Sequence, residues 1–206
     1  MIDGDERRTA LVRAARDAIE ELGPGVGMAQ IAERAGIRRP NVYRLFASKE
    51  QLDREVARQA SKELLSHVRP QLTSTGLRYD VVRAMIDQQF GWAAQHPHLY
   101  RFVTAQRQAI TLQGEGAGGR PQFLSEIVDT TTAHARRVVG DVAVPAPDAV
   151  LASLMGMVDA GTLWWLDHHD ETQSQVVDRL ARQVLLVLED VLTSVGIDPA
   201  VLDSVG

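Results

Sequence analysis

The sequence predicts an all-α protein with a small N-terminal three-helix unit and a larger helical body. Three observations predict this class. Apolar residues recur at helical spacing, no stretch alternates as a strand does, and glycine or proline separates the helical stretches. We expect about nine helices, with residues 1–48 as the N-terminal helix-turn-helix domain and residues 49–206 as the body.

The composition is that of an ordinary globular protein. Of 206 residues, 45% are hydrophobic and 24% are charged. No uninterrupted run of about 18 apolar residues occurs, so we expect no membrane span, and the N-terminus does not resemble a secretory signal. The absence of cysteine excludes disulfides and thiolate metal sites, and it is compatible with a cytoplasmic protein.

Charge is distributed unevenly along the chain. The formal net charge is −5, yet residues 1–52 hold nine basic and eight acidic residues. Within residues 34–49 there are five basic residues and no acidic ones. A local basic patch on an acidic body is typical of a protein that binds one anionic polymer at one site.

The N-terminal unit has three predicted helices. The first ends at Gly23-Pro24-Gly25, and two short helices over about 28–35 and 39–46 flank Gly36. Gly36 supplies the positive φ that the tight turn needs, and Pro40 lies in a first helical turn, where its missing N–H costs little. The first helix carries one apolar stripe, formed by Leu11, Ala14, Ala15, Ala18, Ile19 and Leu22.

The body begins with a capping box, in which the Ser48 hydroxyl and the Gln51 side chain cap a long helix. Residues 113–121 are predicted to be a flexible loop because they include four glycines. The helices of the body are predicted over about 49–68, 77–95, 97–110, 121–139, 147–168 and 173–195.

The second short helix carries the residues that we expect to contact DNA. In a helix-turn-helix, this helix enters the major groove. Arginine pairs with guanine edges and asparagine with adenine edges, which makes four residues candidates for reading bases: Arg38, Arg39, Asn41 and Arg44. Tyr43 and Lys49 are better candidates for phosphate contacts. The alternative is a solvated basic helix in an ordinary bundle, which the glycine turn and the absence of acidic residues disfavour.

The stretch IAERAGIRRPNVYRLFASKEQL resembles the DNA-binding domain of the TetR family of bacterial repressors. The matching features are Ala35-Gly36, Tyr43 with Phe46, and Ser48-Lys49-Glu50, and they cover about the first quarter of the chain. Gly27 departs from the pattern, because the family usually has a Ser or Thr there that caps the helix and often touches a phosphate. The resemblance implies DNA-binding residues Arg38, Arg39, Pro40, Asn41, Tyr43, Arg44 and Lys49.

The resemblance further implies a homodimer and an effector cavity in the body. The last two long helices each show an apolar face, and Gly156 and Ala160 are small residues four apart, which suits a close partner helix. Packing within one chain is the alternative reading of those faces. A small hydrophobic effector is expected, with candidate lining residues Met85, Gln89, Trp92, Phe102, Phe123, Thr130, Met155 and Trp164.

The sequence favours no enzyme, cofactor or metal. Asp167-His168-His169-Asp170 contains good metal ligands, but adjacent residues at a helix end point in different directions. No Ser-His-Asp or paired-carboxylate arrangement has a recognisable spacing. The prediction is therefore a cytoplasmic, ligand-released homodimeric repressor that binds a double-stranded DNA operator. The alternatives are a ligand-responsive activator, or a helical ligand- or metal-sensing module with weak DNA binding.

Overall fold

The computed structural model describes residues 4–72, 79–113 and 147–202, together with Asp129 and Ala133. These ranges are helical, which confirms the predicted all-α class. Their elements are α1 Gly4–Leu22, α2 Met28–Arg34, α3 Arg39–Leu45, α4 Lys49–Leu72, α5 Tyr79–Gln95, α6 Pro97–Gln113, α7 Pro147–His168, α8 Gln173–Ser194 and a short 3-10 helix, Pro199–Leu202.

Most predicted helix ends agree with the structure within a few residues, and α4 is the main exception. It continues through Pro70 to Leu72, although the sequence predicts its end near residue 68. Pro70 lies close to the C-terminal end of α4, where the loss of one N–H removes little of the hydrogen-bond ladder. The helix predicted over 121–139 and nearly all of the loop at 113–121 lie outside the described residues.

The described helices belong to two compact units. The first contains α1, α2, α3, the part of α4 up to Glu63, and α6. The predicted domain boundary after residue 48 remains a prediction, because a compact unit of helices does not show where an independently folding domain begins. The fully or almost fully buried side chains of this unit include Leu11, Ile19, Ile31, Val42, Phe46, Leu52, Val56, Leu99, Tyr100 and Val103.

Polar contacts join α1 to α4 and α6 within the first unit. Arg16 and Glu63 form an ion pair at 2.7 Å. The Glu20 side chain accepts a hydrogen bond from the backbone N–H of Leu99 at 3.1 Å, and the Glu20 carbonyl lies 2.8 Å from Nδ1 of His98. Glu20 thereby satisfies one of the free amides in the first turn of α6.

The second unit contains the rest of α4 from Leu64, together with α5, α7 and α8. Phe90 of α5 meets Trp165 of α7 with ring centroids 5.4 Å apart. Arg83 donates a hydrogen bond to Asp178 at 2.6 Å, and this contact lowers the pKa of that carboxyl. The apolar core of the unit contains Val82, Ile86, Phe90, Leu154, Val158, Trp165, Val176, Val177, Leu180, Ala181 and Val184.

α7 and α8 approach each other closely at Gly161. A Cβ placed there would lie 2.9 Å from Cδ1 and 3.1 Å from Cδ2 of Leu180, which itself is buried in the core. Such separations are shorter than carbon–carbon contacts in well-packed interiors. Glycine at this position therefore leaves the space that Leu180 occupies.

α7 is also long and apolar enough to cross a membrane, judged by length and composition alone. Asp159 interrupts its run of apolar residues, so the expectation that no uninterrupted run of about 18 apolar residues occurs still holds. The core helix of a soluble protein meets the same test, and one face of α7 packs into the core of the second unit.

Candidate nucleic-acid interface

The turn between α2 and α3 is built from local backbone hydrogen bonds around Gly36. Gly36 has φ of +65°, a conformation that side chains with a Cβ rarely adopt. Its N–H donates to the carbonyl of Glu33 at 3.0 Å, and the N–H of Ile37 donates to that of Ala32 at 3.0 Å. These two bonds satisfy carbonyls at the C-terminal end of α2 and turn the chain sharply into α3.

α3 packs through Val42 and leaves its other side to solvent. Val42 and the Phe46 that follows the helix are fully buried. Arg38 is the N-cap in an extended conformation, and Pro40 lies in the first turn, as the sequence predicts. Arg38, Arg39, Pro40, Asn41, Tyr43 and Arg44 are all exposed.

The structure therefore leaves six of the seven predicted DNA-binding residues exposed along α3 and its N-cap. The described acidic residue nearest in sequence on the N-terminal side is Glu33, and the next on the C-terminal side is Glu50. Arg39 lies above the ring of Tyr43, with its guanidinium carbon 6.0 Å from the ring centroid. Such a surface is able to donate hydrogen bonds to base edges and phosphates.

Lys49, the seventh residue, has a different environment. It is partly buried at the start of α4 and forms an ion pair with Asp53, one turn further on. Burial raises the pKa of the Asp53 carboxyl, and the hydrogen bond from Lys49 opposes that rise. A phosphate contact by the Lys49 ammonium would therefore compete with, or be shared with, this carboxylate.

The start of α4 carries the cap that the sequence predicts. The Ser48 hydroxyl accepts a hydrogen bond from the N–H of Gln51 at 3.3 Å. The Gln51 side chain reaches back, but it accepts from the N–H of Ala47 at 2.7 Å rather than from Ser48. The two bonds fix the connection between α3 and α4.

Gly27, where the family usually has a hydroxyl, caps α2 without a side chain. The Gln30 side chain accepts a hydrogen bond from the N–H of Gly27 at 3.0 Å. The backbone at Gly27 is extended, with φ −86° and ψ 160°, and a Cβ there would lie 3.7 Å from the nearest side-chain atom. The site therefore has room for a serine.

The predicted effector-lining residues that the structure describes are divided between the two units. Phe102 is buried in the first unit, whereas Met85, Gln89, Trp92 and Met155 belong to the second. Met85 packs against Leu65 and Val68, and Gln89 donates a hydrogen bond to Asp159 at 3.2 Å.

The other three predicted lining residues are Trp164, Phe123 and Thr130. Trp164 is 56% exposed and stacks on His168 with a centroid separation of 3.7 Å, which does not fit an internal lining position. Phe123 and Thr130 lie outside the described residues.

The histidine-rich end of α7 forms ring and hydrogen-bond contacts. Nε1 of Trp164 donates to Asp170 at 3.2 Å, and the ring of His169 lies 5.2 Å from that of Trp165. Across residues 4–72, 79–113 and 147–202, no three His, Cys, Asp or Glu side chains are grouped to hold a metal.

Sequence reasoning missed Arg8, which contacts the carbonyl of Leu45 at the end of α3 and the ring of Phe46 just beyond it. It also missed Asp159, the partner of Gln89, and Glu20, the partner of α6. These contacts join residues 37 or more positions apart. No local pattern signals such pairs, because their meeting depends on how the helices pack.

The N-terminal helices are similar to those of known proteins. A family model described as bacterial regulatory proteins, tetR family, matches residues 11–56, which include α1 from Leu11, α2, α3 and the start of α4. The HTH-type transcriptional activator FasR of Mycolicibacterium smegmatis is 33% identical over 100 residues. That match covers 48% of this chain and 46% of the relative, so the chain matches less than half of the relative's length.

Solved structures share the fold across most of the chain. A tetR-family transcriptional regulator from Streptomyces coelicolor superposes with a TM-score of 0.64 at 19% identity, covering 94% of this chain and 85% of that one. The TetR-like regulator LfrR from Mycobacterium smegmatis, solved with proflavine, gives a TM-score of 0.58 at 17% identity, covering 88% and 96%. Residues 11–56, which include the helix-turn-helix, are thus similar to the TetR family of bacterial regulatory proteins, and the all-helical fold is shared with these solved structures.

Proposed function

We propose that this protein is a DNA-binding transcriptional regulator, acting as a homodimeric repressor that a small molecule releases from its operator. The observation that carries the proposal is the surface of α3, where six polar, basic or proline residues surround a fully buried Val42. A helix held by its apolar side with arginines facing solvent suits insertion into the major groove.

Roles on this surface follow from side-chain chemistry. Arg38, Arg39, Asn41 and Arg44 are assigned to base edges, because arginine and asparagine form bidentate pairs with guanine and adenine. Tyr43 and Lys49 are assigned to phosphates, which position the protein without reading sequence. Pro40 shapes the first turn and offers an apolar contact.

Dimerisation is supported by apolar surface left exposed on α7 and α8. Leu186 is 63% exposed, Val187 is also exposed, and 22% of the apolar stretch of α7 is buried within the chain. Gly156 and Ala160 are both exposed on α7. A symmetric dimer would cover this surface and present two α3 helices to half-sites about 34–36 Å apart.

The effector is assigned to the helical body. Solved relatives support a ligand of modest size, since LfrR was crystallised with proflavine. We assign its site to the second compact unit, among Met85, Gln89, Trp92 and Met155, with α4 carrying the change to the DNA-binding helices. A ligand must prefer the released conformation by about 5.5 kcal/mol to move the population from 1:99 to 99:1.

Activation is a second candidate function. It is favoured by the match to FasR, which is named a transcriptional activator. Deleting the gene and measuring transcription from the bound promoter separates the two, because loss of a repressor raises transcription and loss of an activator lowers it.

Footprinting on the DNA that flanks the gene tests DNA recognition, and gel shifts with variants then test the residue roles. Arg44→Ala should cost about 1–3 kcal/mol on the operator and relax the preference at one base pair. Lys49→Ala should weaken operator and random duplex alike and reduce the salt slope by about one phosphate contact.

Arg13→Ala is the matched control, because it removes an exposed arginine from α1. It should leave operator binding unchanged. If Arg44→Ala and Lys49→Ala bind as tightly and as selectively as the unmodified protein, α3 is not the reading surface. Operator binding that every tested inducer leaves unchanged would contradict release by a ligand.

A further inference from the structure

Arg8, in the second turn of α1, lies against the C-terminal end of α3. Its Nη1 donates a hydrogen bond to the carbonyl of Leu45, the last residue of α3, at 2.9 Å. Its guanidinium carbon lies 3.9 Å from the centroid of the Phe46 ring. Phe46 is fully buried, so the guanidinium stacks on a ring that is already fixed.

The end of α3 needs such a partner. α3 has seven residues, and helices this short have little stability of their own in water. The last carbonyls of a helix have no partner within it, and a positive charge there also interacts favourably with the helix dipole. The chain leaves α3 at Phe46 in an extended conformation, with φ −136° and ψ 118°.

The charge of Arg8 also acts on the first turns of α4. Glu55 forms its main ion pair with Arg58, and the charge of Arg8 adds to the interactions that lower the pKa of the Glu55 carboxyl. Arg8 thus has a hydrogen-bond acceptor at the end of α3 and an aromatic ring in the connection that follows. One side chain from α1 therefore contacts two consecutive parts of the DNA-binding unit.

We propose that Arg8 is a positioning residue for DNA reading, which fixes the C-terminal end of α3 so that the exposed side chains of that helix meet base edges in register. The proposal rests on the proposed function of α3 as the reading helix. It assigns Arg8 no contact with a base and no net contribution to phosphate binding. Its effect should appear in sequence preference and in the local stability of α3.

The first test is hydrogen exchange of the full-length protein without DNA. The N–H of Phe46 donates to the carbonyl of Val42 at 2.9 Å, which makes its exchange a direct reporter of the end of α3. Arg8→Leu should speed exchange there by about tenfold, since it removes a charged hydrogen bond and a cation–π contact, and should leave α2 unchanged. Unchanged exchange at Phe46 overturns the proposal, whatever the protein does with DNA.

The second test compares operator and random duplex over a series of salt concentrations. Arg8→Leu should lower the ratio of operator to random affinity by about tenfold while leaving the salt slope as it is. Arg8→Lys keeps the charge without the planar fork and should give a smaller loss. Arg13→Ala, which removes an exposed arginine from the same helix, should leave the ratio unchanged.

The outcomes separate positioning from other roles. An equal loss on both duplexes with a lower salt slope would make Arg8 a phosphate contact and would overturn the proposal. If Arg8→Leu does not fold, Arg8→Lys must still reduce the ratio more than Arg13→Ala, or the proposal fails. Absence of any operator preference in the unmodified protein would contradict the proposed function, while exchange at Phe46 would still decide the role of Arg8.

Discussion

Replacing Gly161 by alanine tests the close approach of α7 and α8. The new Cβ would lie 2.9 Å from Cδ1 of Leu180, and Leu180 is only 2% exposed, so its side chain has little room to move. Overpacking of this kind costs about 1–3 kcal/mol. Alanine also favours the helix over glycine by about 1 kcal/mol. The net change should lie between neutral and a loss of about 2 kcal/mol.

Gly91→Ala is the matched control for helix propensity. Gly91 lies within α5 of the same compact unit, and a Cβ there would meet nothing within 4 Å. This variant should gain about 1 kcal/mol. The two variants should therefore differ by about 1–3 kcal/mol, which is the overpacking cost alone.

The assay is urea denaturation at one fixed protein concentration, because the stability of a dimer depends on concentration. Gly161→Ala is then repeated in a Leu180→Ala background, where the obstructing methyl groups are gone. There it should stabilise the protein, as Gly91→Ala does. Equal stabilisation by Gly161→Ala and Gly91→Ala in the unmodified protein would refute the close approach.

Three further predictions concern the DNA-binding unit and the exposed face of α7. Gly27→Ser should stabilise α2 by a few tenths of a kcal/mol and tighten binding to operator and random duplex alike, and a lower thermal midpoint would contradict the cap geometry. Burial raises the pKa of Asp53 above 3.8, so the charged carboxylate disfavours the folded state as pH rises through its folded pKa. Asp53→Asn should therefore gain stability relative to the unmodified protein as pH rises above about 4 in urea titrations, and a pH-independent difference would be contrary evidence. Gly156→Arg should convert a dimer to monomers in sedimentation without loss of helical content, and an unchanged mass would exclude Gly156 from the interface.

The local architecture of the DNA-binding surface was predictable from sequence because its causes are local. Gly36 has the positive φ expected of the turn, Pro40 lies in the first turn of α3, and Ser48 caps α4. Each of these depends on residues within about four positions. The outward position of Arg44, two residues beyond Val42, follows from the same helical period that buries Val42.

Several features differ from expectation, some through contacts between distant residues and some through side-chain contacts one helical turn apart. Trp164 is a predicted effector-lining residue, yet its ring is exposed and stacks on His168. Asp159 lies in an apolar helix, and its hydrogen bond with Gln89 of α5 joins two helices 70 positions apart in sequence. Lys49 is partly buried and paired with Asp53. The run of basic residues around Lys49 in the sequence does not indicate this ion pair.

The sequence by itself determined the helical class, the turn between α2 and α3, and the polar surface that α3 presents. Those features depend on backbone conformation and on the period of neighbouring side chains. Only the tertiary structure decided that α6 packs with the DNA-binding helices and that Arg8 holds the end of α3. The physical reason is that these contacts join residues brought together by helix packing, and the choice among possible packings is an energy of the whole chain.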